Sequence, residues 1–250
     1  MLHYNDVAAD TQERIRELDW DSLLGSRPYE VTSRPKTIDT LRQKLKRDRD
    51  TPLSNIQDIA GVRFEAEMSL DEQDAVANAI AGRFGHDLEV CRHDLRLTPR
   101  SGYRAVHLWL RLPTRVEVQI RTHLQSAWAN MYESLADVFG REIRYGDLPS
   151  NPEARKAVET LQNLSVEHIS KLEGVRNKIL PLEASSRKIW EAVSKQPEGS
   201  DGALRLREHA VRLDQSLTDM RTVVKESEAS IQSSMDSLKA TFDSIRDTRR

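Results

Sequence analysis

Nine residues near the middle of the chain, Thr114–Thr122, read T-R-V-E-V-Q-I-R-T. Successive side chains of a strand face opposite sides, so Val116, Val118 and Ile120 point one way and Glu117, Gln119 and Arg121 the other. That alternation fits a strand with one buried face, which needs a sheet around it. Its second face carries a carboxylate, an amide and a guanidinium in a row. Most antiparallel strands of this kind simply wet that face. The same row is also a floor for a charged ligand, and what stands opposite Glu117 decides between the two.

Other stretches can join it. Gly61 opens a strand with Val62, Phe64 and Ala66 inward and Arg63 and Glu65 outward; Asp58 stands just before it. An Asp at the lip of a sheet is a frequent metal or phosphate position, with helix capping as the plainer reading. Ala105–Leu110 reads as a strand with His107 and Trp109 on one face, and Leu112-Pro113-Thr114 is a hairpin-sized connection. Leu88–Arg92 reads as a short strand. It contains Cys91, the only cysteine, which reads as packing and excludes disulfide frameworks and thiolate clusters. The dipeptides His86-Asp87 and His93-Asp94 lack companion ligands and read as surface or loop residues.

Helical spacing fills the rest. Residues 5–24 read as one helix, ended by Gly25, Pro28 and the β-biased Tyr29–Ser33. Ser69–Ala81 is an amphipathic helix capped by Ser69, with Asp71 and Glu72 in its first turn. His123–Phe139 reads as a helix with Leu124, Ala127, Trp128, Met131, Leu135 and Val138 on its buried side. In Ser33–Asp50, Pro35 fits a first helical turn, Ile38, Leu41 and Leu45 form one stripe, and Lys36, Thr40 and Lys44 form another. Between Arg34 and Arg49 stand seven basic residues against two acidic ones. Unalternated like charges cost a helix a little stability, and a polyphosphate cancels that cost; the plainer reading is a solvated face.

From Pro152 aromatics become rare. The spacing predicts a helix over 152–179 stopped by Pro181, a shorter one over 182–195, and a linker at Gln196–Gly202. A last helix carries a heptad seam: Leu206, Ala210, Leu213, Leu217, Met220, Val224, then Ile231, Met235, Leu238, Phe242 and Ile245. A coiled-coil seam needs a partner: an earlier helix folding back, a second copy of the chain in a homo-oligomer, or a different protein. The expected domains are an N-terminal helix (1–30), a catalytic region (31–150) and a helical C-terminal extension (151–250). A net charge of −2 supplies no global field toward nucleic acid. No basic, apolar leader opens the chain and no stretch nears the ~18 apolar residues of a membrane span, so a cytoplasmic protein with no membrane partner is expected.

If the strands share a sheet, Asp58 and Glu117 converge as two hard carboxylates suited to Mg²⁺. The basic stripe then faces phosphates, Tyr103 offers a flat face to a base, and His107, Gln119 and Arg121 add polar contacts. Together these point to nucleotide chemistry, most simply phosphoryl or pyrophosphoryl transfer. No P-loop or kinase motif is present.

The ordered set R-P-K-x-x-x-T-x-x-x-K (34–44), D-I-A-G-V-R (58–63), S-G-Y-R-A-V-H (101–107), E-V-Q-I-R-T (117–122) and W-A (128–129) resembles the synthetase domain of the RelA/SpoT family over roughly residues 30–145. The resemblance implies an α/β (α+β) fold, with a mixed β-sheet flanked by helices, akin to nucleotidyltransferases. It also implies Mg²⁺-dependent transfer of pyrophosphate from ATP to a ribose 3′-hydroxyl. By position, Arg34, Lys36, Thr40, Lys44 and Arg63 resemble the ATP-binding residues. Asp58 and Glu117 resemble the metal-holding and catalytic carboxylates. Tyr103, His107, Gln119 and Arg121 resemble the acceptor wall, with Arg100 in place of a more usual Lys. The loop T-P-R-S-G-Y departs from the family, as do Asn130, Glu133 and Asp137-Val138 on the following helix. With some 33 residues ahead of the motifs, no hydrolase domain is expected and the chain resembles the single-domain small synthetases. The departures leave the acceptor open. It is GDP or GTP in an alarmone maker, or an adenine nucleotide or the tRNA 3′-CCA end in a toxin held by an antitoxin protein. A non-catalytic helical interaction protein is the third reading, against which the retention of both carboxylates argues.

Overall fold

A computed structural model of the chain describes residues 2–33 and 59–247. Arg34, Lys36, Thr40, Lys44, Asp58 and the helix expected after Ser33 lie outside the described residues. Packing divides the chain into two compact units, Met1–Ser150 and Asn151–Arg250.

In the first unit, β1 (Tyr29–Ser33), β2 (Ala60–Ala66), β3 (Arg92–Asp94), β4 (Val106–Arg111) and β5 (Arg115–Thr122) form one sheet in the order β1-β2-β5-β4-β3. β2 runs parallel to β5 and the other pairs are antiparallel, so the sheet is mixed. Alternation in each strand separates two faces. Val62, Phe64, Val106, Leu108, Leu110, Val116, Val118 and Ile120 are buried against Ala8 and Ile15 of α1 (Leu2–Arg16) and Val76, Ala77 and Ile80 of α3 (Leu70–Arg83). Each large aliphatic side chain so buried contributes roughly 1.5–3 kcal/mol. The opposite face holds the polar residues. α3 begins at the expected capping box, with Ser69 and Glu72 bonding each other's backbone N–H, and Arg27 pairs with the same Glu72 carboxylate. α5 (His123–Phe139) leaves the end of β5 through a second capping box, Thr122 with Gln125.

Three local expectations change. Residues 5–24 do not make one helix: α1 ends at Arg16 and a single turn, α2 (Asp21–Leu24), follows. The chain bends there to bury Trp20, whose indole N–H donates to the Ile15 carbonyl at 2.9 Å and whose ring lies 4.7 Å from Phe64. Tyr29–Ser33 is a sheet edge, and α1 closes it: the Gln12 amide donates to Val31 O and accepts from Ser33 N, while Arg16 donates to Val31 O. These contacts occupy backbone groups that would otherwise pair with a foreign strand. Leu88–Cys91 is a helical turn, α4, rather than a strand, because Asp87 caps it by accepting from Glu89 N; the strand starts at Arg92, and His93 belongs to it rather than to a loop. Cys91 is buried, as packing requires.

β3 is fastened by charge. Arg92 and Arg96 both reach Asp74 on α3 and Asp94 on the strand, at 2.6–2.9 Å. Arg96 also donates to Gln73 Oε1, and the fully buried Gln73 amide donates to Ile120 O at 2.8 Å and Gln125 Oε1 at 2.9 Å. One continuous polar network thus ties the sheet edge to the junction of β5 and α5.

The second unit is a helical hairpin. α6 (Pro152–Asn163), a π-helical turn (Leu164–Ile169) and α7 (Ser170–Ser194) form one unbroken rod. Pro181 lies inside α7 and does not stop it, correcting the expected break; packing along the rod outweighs the ~3 kcal/mol that an interior proline costs. α8 (Asp201–Asp247) returns antiparallel. Asp214 accepts from Ser186 and Trp190, Arg221 meets Glu183, and Arg176 meets Glu228. Ala210, Leu217, Val224, Ile231, Met235, Phe242 and Ile245 form its buried stripe. An earlier helix, α7, folds back along this seam.

Candidate active site

The polar face of the sheet brings the expected acceptor-side residues into one ring. β5 presents Glu117, Gln119 and Arg121 on this face, and the hairpin with β4 sets Trp109 opposite Glu117 and His107 opposite Gln119. The parallel partner β2 places Gly61 beside Glu117 and Arg63 beside Gln119. Tyr103 comes from a tight turn before β4. There Ser101 and Gly102 both take positive φ, 51° and 84°, and Tyr103 N donates to Arg100 O at 3.0 Å. Two successive left-handed residues make the hairpin turn whose twist matches the strands; Gly102 adopts that conformation freely and Ser101 at a cost.

The hydrogen bonds close on themselves. Arg121 Nη2 donates to Tyr103 Oη at 2.8 Å and to Gln119 Oε1 at 2.6 Å. Gln119 Nε2 donates to Glu117 Oε2 at 2.9 Å, His107 Nδ1 lies 3.1 Å from Glu117 Oε1, and His107 Nε2 lies 2.8 Å from Tyr103 Oη. The His107 and Glu117 side chains are each 12% exposed. Burial alone would raise the Glu117 carboxyl, but the hydrogen bond and charge of His107, with Gln119 and the Trp109 indole behind them, hold it at about 2. Burial pushes His107 down, and Tyr103 and Glu117 outweigh it, raising the imidazole to about 9. A charged His107 donates from both ring nitrogens. Tyr103 is lowered: burial opposes this, and the charges of Arg121 and His107 prevail.

Arg121 is the anomaly. It is 3% exposed, and its Nε and Nη1 have no hydrogen-bond partner. A buried guanidinium with unmet donors is costly in a folded chain and marks a place where a ligand supplies acceptors. Its carbon lies 5.1 Å above the Tyr103 ring and covers one face of it.

The remaining predicted residues divide. Arg63 shares the face, beside Gln119. Arg100 turns away: it donates to Tyr145 O at 3.1 Å and sits 5.8 Å over the Tyr145 ring, in the 3₁₀ helix Arg141–Tyr145. Glu133 and Asp137, the departures on α5, pair with Arg144 of that helix and are surface contacts. Sequence reasoning missed His93 as a site residue. It stands in register with His107, and its ring stacks on Trp109 at 3.4 Å between centroids. A three-residue strand offers too little alternation to reveal it.

Residues 33–136 match the model of the region found in RelA / SpoT proteins. The chain carries the region found in RelA / SpoT proteins. An uncharacterized protein of Mycobacterium tuberculosis is 51% identical over 167 residues, covering 66% of this chain and 59% of that protein. A protein of Mycobacterium bovis matches to the same extent. The chain thus spans about three fifths of the length of these curated relatives. Among solved structures, small alarmone synthetase 1 from Bacillus subtilis has a TM-score of 0.53 at 22% identity, over 74% of this chain and 94% of that one. Small alarmone synthetase 2 from the same organism has 0.52 at 23%, over 74% and 96%. These likenesses show a fold shared with the two small alarmone synthetases.

Glu117 suits a divalent cation of the Mg²⁺ class: it is a hard carboxylate kept ionised, and each oxygen retains a lone pair beyond its present bond. Among the described residues no group of three or more His, Cys, Asp or Glu could hold a metal ion. Among them, too, no helix is long and apolar enough to cross a membrane.

Proposed function

We propose that this chain transfers pyrophosphate from ATP to the 3′-hydroxyl of a guanosine nucleotide, GDP or GTP, and releases AMP. The observation that carries this reading is the ring around Glu117. It is an ionised carboxylate, fixed by His107 and Gln119, on a sheet face that ends in a buried cation with unmet donors. Glu117 accepts the hydrogen bond of the 3′-hydroxyl. As the 3′-oxygen bonds to the β-phosphorus and the bond to the α-phosphate oxygen breaks, the hydroxyl proton passes to Glu117 and on to solvent. Fixing the hydroxyl in place supplies much of the rate, since a positioned reactant avoids the entropy of encounter. Arg34, Lys36, Thr40, Lys44 and Arg63 are assigned to ATP, Asp58 and Glu117 to Mg²⁺, which when bound offsets the triphosphate charge.

The acceptor base follows from Arg121. With that guanidinium over one face of Tyr103, a base stacks on the other. The guanine O6 and N7 edge offers acceptors to buried N–H donors, whereas adenine offers an amino donor there. The B. subtilis small alarmone synthetase 1 has been crystallised bound to its product pppGpp, which supports the same reading.

The test supplies the purified chain with ATP labelled on its β-phosphate and with GDP, GTP, AMP and bulk tRNA in competition. Label on GDP or GTP is expected, and Glu117→Gln should abolish transfer without loss of helical signal. Label on AMP or on tRNA alone would replace the guanosine acceptor with the toxin-type reading. No transfer to any of them refutes the enzyme.

A further inference from the structure

One donor beside Glu117 has no task in the reaction as written. Trp109 stands directly opposite Glu117 across the β4–β5 ladder, where facing side chains leave the backbone about 4.5–5.5 Å apart. Its indole nitrogen is buried and has no hydrogen-bond partner. The N–H faces the Glu117 carboxylate and helps to keep it ionised without reaching hydrogen-bond geometry, while Glu117 Oε1 and Oε2 are bonded to His107 and Gln119. An indole N–H is a donor only, and a buried one ordinarily finds an acceptor. The ring cannot drift, because His93 stacks on it at 3.4 Å with 33° between the planes. β3, which carries His93, is itself held to α3 by Arg92, Arg96, Asp74 and Asp94.

We propose that Trp109 reads the acceptor's sugar: its N–H donates to the ribose 2′-oxygen while Glu117 holds the 3′-hydroxyl. The proposal rests on the pyrophosphate-transfer reading and narrows its substrate class to ribonucleotides. The chemistry is complementary. The 2′- and 3′-oxygens sit on adjacent ring carbons, so a sugar presented to this face needs an acceptor and a donor side by side. Glu117 and Trp109 are such a pair on neighbouring strands. A 2′-deoxy acceptor leaves the indole N–H buried and unpaired. Losing one such bond at a buried site reduces binding by about tenfold or more.

The experiment compares GDP with 2′-deoxy-GDP on the full chain and on Trp109→Phe, by kcat/KM and by calorimetric binding. Phe keeps the stack on His93 and removes the N–H. The wild-type chain should favour GDP by about tenfold, and Trp109→Phe should bring the preference close to one by losing only on GDP. A change in packing alone would weaken both nucleotides together. Equal use of the two by the wild-type chain overturns the proposal, as does an unchanged preference in a Trp109→Phe protein that melts like the wild type. Should that variant not fold, the wild-type chain decides with 2′-fluoro-2′-deoxy-GDP, whose fluorine is a poor acceptor: it should behave like the deoxy nucleotide, and its use as readily as GDP overturns the proposal. Transfer to GDP without ribose preference refutes this inference alone. Neither binding nor transfer with any nucleotide refutes the reaction and the inference together.

Discussion

Replacing Asp94 by Asn tests the network that holds the edge of the sheet. Asp94 is 13% exposed at its side chain and sits between Arg92 and Arg96, with Arg96 itself 9% exposed. Burial raises its carboxyl, but hydrogen bonds from the Arg96 side chain and backbone and from Arg92 outweigh that and hold it at about 2, below the usual 3.8. A fall of that size is worth roughly 2.5 kcal/mol at about 1.4 kcal/mol per unit. The sign follows from which state binds the proton more tightly. A depressed carboxyl stabilises the folded chain fully above 3.8, and the contribution is lost as pH falls through about 2. By pH 3 about half of it remains. Asp94→Asn should therefore lower the melting temperature by roughly 5–10 °C at pH 7, at ~2–4 °C per kcal/mol for a chain of this size. The gap to the wild type should narrow by about half at pH 3. Thermal melts of both proteins across that range measure it. A gap that is the same at pH 7 and pH 3 would falsify the claim that Asp94 acts as an anion. A gap near zero throughout would mean that Asp74 alone satisfies both arginines.

Tyr103→Phe removes the oxygen that accepts from Arg121 and bonds His107. The acceptor KM should rise roughly tenfold while the KM for ATP stays within about twofold; steady-state kinetics with each substrate varied separates the two, and an unchanged acceptor KM refutes the role of the ring. In the helical hairpin, Asp214→Ala frees Trp190 and Ser186. The Trp190 indole N–H resonance should then move to its solvent-exposed position while those of Trp20, Trp109 and Trp128 stay, and movement of all four would mean a global rearrangement.

The strand Arg115–Thr122 was legible because alternation over eight residues is a strong signal, and the Ser69 cap because a side-chain cap acts within four residues. Short apolar runs misled. Leu88–Arg92 has strand composition, yet one capping carboxylate, Asp87, suffices to wind it into a turn. The helix read over 5–24 failed at Trp20, whose burial beside Phe64 is a contact no local window contains. Pro181 carries the strongest local stop signal in the second unit, and the packing of α7 along α8 overrides it. The heptad announced a partner and could not say which helix fills that place.

By itself, the sequence determined the chemistry available: the carboxylate, amide and guanidinium on one strand face, the Tyr before and the His on the preceding strand, the basic stripe before them, and the family these motifs resemble. It did so because periodicity and motif spacing are local properties of the chain. Only the tertiary structure decided that Tyr103, His107, Glu117, Gln119 and Arg121 close into one ring, that Arg100 lies outside it, and that Trp109 and His93 stand beside Glu117. Those outcomes depend on strand order and register, where a shift of one residue would turn every one of these side chains to the other face.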